Sequence, residues 1–142
     1  MRIRLLLLGK TRRAEMLTLL EEYAGRIRRI CPIELSEVRD AAAALKKLDA
    51  DRAAAAILLD AAGKCHDSEA FAKWLGELRD RGTRELIFVC GDADGFPEEL
   101  RDRVKQKISL SAMTYSHELA RVMLAEQIYR AFAILSGSPY PK

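Results

Sequence analysis

The chain has 142 residues, 49% hydrophobic and 32% charged, the size and make-up of one ordinary domain. That excludes a disordered polymer and leaves enough apolar side chains for a core without staples. Net charge is only +3, but residues 1–30 hold eight basic and three acidic side chains, a net +5 that leaves −2 for the rest. A basic end permits an anionic partner such as RNA, and equally suits a solvated helix face. Cys31, Cys65 and Cys90 are spaced 34 and 25 residues apart, which describes neither a disulfide framework nor a zinc site. They read as reduced thiols of a cytoplasmic protein. No apolar run approaches a membrane span, and no metal is expected.

In chain order, Leu5 to Leu8 stop at Gly9-Lys10, too short for a signal-peptide core, and read as a buried strand. Thr11 is a plausible N-cap for a helix over about 12–29, with Met16, Leu17, Leu20, Tyr23 and Ala24 at helical spacing. Pro32 stops it, and Ile33 to Val38 is a short strand. Asp40 caps a helix through Leu48. Residues 54–59 form a buried strand closed by Asp60 and Gly63. Ser68 begins a helix that Gly82 ends. Leu86 to Cys90 is the next buried strand, and 91–95 a loop. Pro97 opens a short helix to about 105. Ile108 to Leu110 is a brief strand, and a long helix runs over roughly 117–136 to Gly137. Strands and helices alternate, so the expected fold is a single α/β domain over 1–142 with a mostly parallel sheet.

Ligands of such sheets bind beyond the carboxyl ends of the strands. The loops at 60–64, 91–95 and 109–115 leave such ends. The second is neither a Walker A loop nor a dinucleotide fingerprint. Asp92 and Asp94 are more simply solvated than metal-bound. No nucleophile elbow is present. His117 and Arg121 stand one turn apart on the long helix, as a polar pair at a pocket mouth or as a capping histidine with a surface arginine. The same helix is apolar around much of its circumference. Its second face therefore needs a cover, either a two-fold partner or another part of the chain. Tyr140 in the tail offers a ring for stacking.

Ser109-Leu-Ser-Ala-Met-Thr-Tyr-Ser-His117, then Arg121-Val122 and Glu126-Gln-Ile-Tyr129-Arg130-Ala131, resembles the SPOUT-class large-subunit ribosomal RNA methyltransferase H family. Weaker matches follow in order at 3–10, Leu58-Leu59-Asp60 with Gly63-Lys64, Phe88-Val-Cys-Gly91 with Gly95, and Tyr140. The resemblance implies a sheet whose C-terminal part is threaded into a trefoil knot, and a homodimer. It implies S-adenosyl-L-methionine as cofactor, and as substrate a pseudouridine of 23S rRNA in the ribosome, methylated at ring N3. The cofactor residues it implies are Leu59, Gly91, Leu110, Ser111, Ala112, Met113, Thr114 and Tyr115. The catalytic residues it implies are His117, Arg121 and Tyr140. On that reading His117 takes the N3 proton, Arg121 binds phosphate or the deprotonated ring, and Arg12, Arg13, Arg26, Arg28 and Arg29 hold the RNA backbone.

The chain departs from the family's pattern at three places. Asp92 stands where a second glycine is usual, Ser116 where proline is usual, and Pro141 where histidine follows the tail tyrosine. The segment between Val38 and Ile57 is also shorter. These changes leave open two alternatives, a non-catalytic RNA-binding homologue and a SPOUT enzyme with another RNA acceptor.

Overall fold

The computed structural model describes residues 1–140. Its elements are β1 (Arg2–Leu8), α1 (Ala14–Arg28), β2 (Ile33–Val38), α2 (Ala41–Ala50), β3 (Ala55–Cys65), α3 (Ser68–Asp80), β4 (Glu85–Cys90), α4 (Glu98–Arg103), β5 (Gln106–Ser109) and α5 (His117–Ser136). The five strands form one parallel sheet in the order β2-β1-β4-β3-β5. Helices cover both faces, which is why the central strands are continuously apolar. Leu5, Leu7, Ile57 and Phe88 face α1, α3 and α5, while Leu6, Leu8, Leu58, Ile87 and Val89 face α2 and α4. No helix among the described residues is long and apolar enough to cross a membrane.

Local chemistry accounts for the elements, and in places shifts them. Asp40 caps α2 by accepting from the Ala43 N–H at 2.9 Å. α3 begins at Ser68 as expected, and Asp67 caps it, accepting from the Ala70 N–H at 2.7 Å. The Ser68 hydroxyl donates to Gln127 Oε1 of α5 at 2.7 Å. Thr11 does not cap α1, which begins at Ala14. Its side chain is turned into the protein.

The strand expected to close at Leu59 continues to Cys65. It pairs with β5 on both sides of a register shift, Ile108 facing Leu59 and again Lys64. The four residues between make an excursion, and Gly63 permits it. A Cβ there would lie 2.7 Å from the backbone of Lys107 and Ile108. The second face of α5 is covered within the chain. Leu20, Ala24 and Ile27 of α1 and Leu75 and Leu78 of α3 share one core with Leu124, Ala125, Ile128 and Phe132. Ile134 of the same helix stays exposed.

Two glycine substitutions separate close approach from helix propensity. Gly63→Ala should cost about 1–3 kcal/mol, because backbone atoms must move. Gly25→Ala, inside α1 with nothing within 4 Å of the added carbon, should stabilise by about 0.5–1 kcal/mol. Urea unfolding of both variants tests this, and a neutral Gly63→Ala would contradict the packing at β5.

Candidate active site

The carboxyl ends of β3, β4 and β5 open into a cleft of about 410 Å³. Leu59 stands at its centre, in register with Cys90 on one side and Ile108 on the other. Beyond that pair the strands part and their loops become the walls. Asp60 and Ala61 form one wall, and 91–96 with Arg101 the next. Residues 109–117 close the third side.

Short-range hydrogen bonds shape each wall. Gly95 N–H donates to the Asp92 carbonyl at 3.0 Å, which tightens the 91–95 turn. Gly91 lies beneath it, where a Cβ would be 2.9 Å from the Gly95 oxygen. The exposed Asp92 carboxylate accepts from the Asp94 N–H at 2.8 Å. It therefore caps its own turn. Ser109 Oγ donates to the Ser111 carbonyl at 2.8 Å, and Ser111 Oγ accepts from the Met113 N–H at 3.0 Å. Ser116 accepts from the Leu119 N–H at 3.4 Å and so starts α5. Ser116 thus caps the helix itself.

Leu59, Gly91, Leu110, Ser111, Met113, Thr114 and Tyr115 all line the cleft, while Ala112 points away from it. His117 also lines it, with Nε2 3.9 Å from Glu118 Oε2. Arg121 does not. It is fully buried, donating through Nη1 to Thr11 Oγ1 at 3.0 Å and through Nη2 to the Leu8 carbonyl at 2.5 Å. Burial holds its pKa below the ordinary value. In this chain its guanidinium grips the end of β1 and is shielded from any phosphate. Cys90 lies buried nearby, its thiol pushed up to about 12 by burial, and is an inert core group.

Tyr140 stands apart from both. Its ring packs edge-on against Tyr129 at 4.8 Å and lies under the Arg130 guanidinium at 4.8 Å. Burial and the Tyr23 hydroxyl hold its pKa above the ordinary value. Tyr129 lies twelve residues beyond His117 on α5, about 18 Å along the helix, and Tyr140 packs beside it. The basic residues divide the same way. Arg12 and Arg13 lie at the cleft end of α1, and Arg26, Arg28 and Arg29 at the Tyr140 end. Pro141 and Lys142 lie outside the described residues.

Spacing alone did not disclose three residues. Phe96 and Arg101 line the cleft because α4 folds back over it. Glu118 accepts the Arg13 N–H at 3.0 Å, capping α1 from 105 residues away. No local pattern could have signalled that contact. Among the described residues, no cluster of three or more His, Cys, Asp or Glu side chains is placed to hold a metal.

A family model described as "Predicted SPOUT methyltransferase" matches residues 1–141. The chain belongs to the SPOUT methyltransferase family. This SPOUT chain is 43% identical to the "Ribosomal RNA large subunit methyltransferase H" of a Geobacter species, over 99% of its own length and 98% of that protein. The protein of the same name from Geobacter sulfurreducens is 40% identical, with 99% of each chain covered. Their alignments span 151 residues against 142 here, so the relatives carry additional residues. Among solved structures, a tRNA methyltransferase from Aquifex aeolicus superposes with a TM-score of 0.63 at 13% identity, over 100% of this chain and 75% of that one. The SpoU methyltransferase AviRb from Streptomyces viridochromogenes gives 0.58 at 13% identity, over 96% and 61%. At such identity the likeness is one of SPOUT fold alone.

The Glu118 cap yields a pH test. Its carboxyl is held below the ordinary 4.5, first by the Arg13 N–H. The stability it contributes is thus complete above that value and lost as pH falls through the lower folded one. Urea midpoints of Glu118→Gln should fall less steeply below about pH 5 than those of the parent. Identical slopes would remove the carboxylate from the cap.

Proposed function

We propose that this protein transfers a methyl group from S-adenosyl-L-methionine to ring N3 of a pseudouridine in 23S rRNA, with the ribosome as its partner, as a cytoplasmic homodimer. The observation that carries the reading is the cleft. The loops that resemble the family's cofactor segments converge there, with His117 at their rim. The chain's own residues fit the donor. Leu59, Leu110 and Phe96 give apolar walls for a purine. The tight 91–95 turn offers backbone groups where a side chain at 91 would intrude. Asp92 puts a carboxylate at the rim, agreeable to a cationic sulfonium. Because Asp92 bonds its own turn, the departure from glycine leaves the cleft open.

The donor supplies an activated methyl group when bound. The protein positions the acceptor, excludes water and takes the N3 proton. His117 is the imidazole at the cleft, the side-chain type suited to proton transfer at neutral pH. Arg121 acts from beneath as a positioning residue, holding the first turn of α5 against β1. The trefoil threading belongs to the same proposal, and its support is the 60–63 excursion with Gly63 against the β5 backbone.

The reading as a homodimer is supported by the separation of two of its residues. His117 opens α5 and Tyr140 packs on Tyr129, about 18 Å further along the helix, which favours two chains sharing one acceptor. A two-fold partner laid antiparallel would bring the tail and Arg26, Arg28 and Arg29 of one chain to the cleft of the other. The exposed Leu17 and Leu19 on α1 and Ile134 on α5 give that contact apolar surface.

Mixed dimers test both assignments. His117→Ala should lower kcat on ribosomes by about 10²–10⁴-fold with donor affinity retained, and Tyr140→Ala should also be impaired. A dimer of one chain of each variant retains one cleft with His117 facing an intact partner tail. Mixing the two inactive proteins should therefore restore methylation, read by mass spectrometry of the rRNA. No recovery in verified heterodimers would sink the shared site.

A further inference from the structure

We propose that Arg101 is a positioning residue for the methyl donor: its ion pair with Asp60 fixes the separation of the loops after β3 and β4. The inference rests on the reading of the cleft as the donor site.

Arg101 reaches two loops from one helix. Its Nη1 pairs with Asp60 Oδ2, and its Nε donates to the Phe96 carbonyl at 3.4 Å. The guanidinium also sits 5.9 Å from the centre of the Phe96 ring. Asp60, Phe96 and Arg101 all line the cleft, and Asp60 directly follows Leu59. Both Asp60 oxygens are engaged, since Oδ1 accepts from the Ala62 N–H at 3.0 Å. The carboxylate therefore links its own loop to α4.

The location explains why a link is needed there. The β3–β4 ladder ends at Leu59 and Cys90. Beyond it no strand pairing sets the distance between the two chains, and the cleft lies in that gap. Arg101 spans it from a helix that is itself held. Leu100 is fully buried, and Arg103 donates to Asp49 Oδ1 at 2.9 Å and to the Leu48 carbonyl at 3.2 Å. The Asp60 side chain is 8% exposed and that of Arg101 37%. The pair is thus less screened than a surface pair, and its charge-assisted bonds are correspondingly directional. Arg101 also offsets one of the two rim carboxylates, which would otherwise repel each other and spread the loops.

Calorimetric titration of S-adenosylmethionine into the full-length protein tests this, with thermal unfolding in parallel. Arg101→Ala should weaken donor binding about tenfold, raise KM for the donor in step and change kcat at saturation far less. Arg101→Lys, which keeps the charge but lacks the fork, should recover part of the loss. Because Arg101→Ala leaves a sheltered carboxylate unpaired, the pair-neutral variant Asp60→Asn with Arg101→Ala is measured as well and should show the same weakened affinity. Donor affinity and KM within about twofold of the parent in either folded variant would overturn the inference. So would loss of fold in both, since the pair would then support the chain and not the cleft. Failure of the parent protein to bind the donor would instead overturn the reading of the cleft itself.

Discussion

A buried guanidinium bonded to a strand-end carbonyl underlies the cleft. Arg121 contacts Leu8 and Thr11, the residues that carry β1 into α1. Taking that charge out of water is costly unless it is matched. Two hydrogen bonds and the nearby carboxylates of Glu118, Glu37 and Asp92 offset that cost in part, while Nε is left without a hydrogen-bond partner. The same short loop is held twice more. Thr11 N–H donates to Glu37 Oε2 at 2.9 Å, and Arg13 N–H to Glu118 Oε1 at 3.0 Å. β1, β2, α1 and α5 therefore meet at one charged junction, and His117 opens the helix that supplies half of it.

This arrangement divides labour between backbone and side chain. Tight turns at 91–95 and 109–115 make the walls, so the cleft depends on backbone shape more than on special side chains. Two guanidinium groups then set the positions of those walls, one by hydrogen bonds and one by an ion pair. Arg121 works below the sheet end and Arg101 across the rim. Few titratable side chains line the cleft, His117 among them. The tail and the basic end of α1 lie away from the cleft, beside Tyr129.

Much of the fold was legible in the sequence because its signals are local. The apolar runs at 5–8, 57–59 and 86–90 give the central strands, and Asp40 and Pro97 mark helix starts. The site was legible mainly through the block at 109–117, whose residues line the cleft with the exception of Ala112. What the sequence could not show are contacts across long separations. Thr11 looked like a cap and is a partner of Arg121, 110 residues on. Arg121 read as a partner of His117 at a pocket mouth or as a surface cation, and it is the most deeply sheltered charge at the junction. The apolar girth of α5 could not tell a partner subunit from α1 and α3, which provide its cover. In each case a side chain's neighbours depend on topology, which spacing does not encode.

The central claim is that Arg121 fastens the first turn of α5 to the loop after β1 and so presents His117 to the cleft. Amide hydrogen exchange of Arg121→Met, which keeps apolar bulk without the charge, tests it most directly. The account predicts faster exchange at residues 9–13 and 117–122, with the strands β1, β3 and β4 still protected. Unchanged protection at both segments in the folded variant would contradict it.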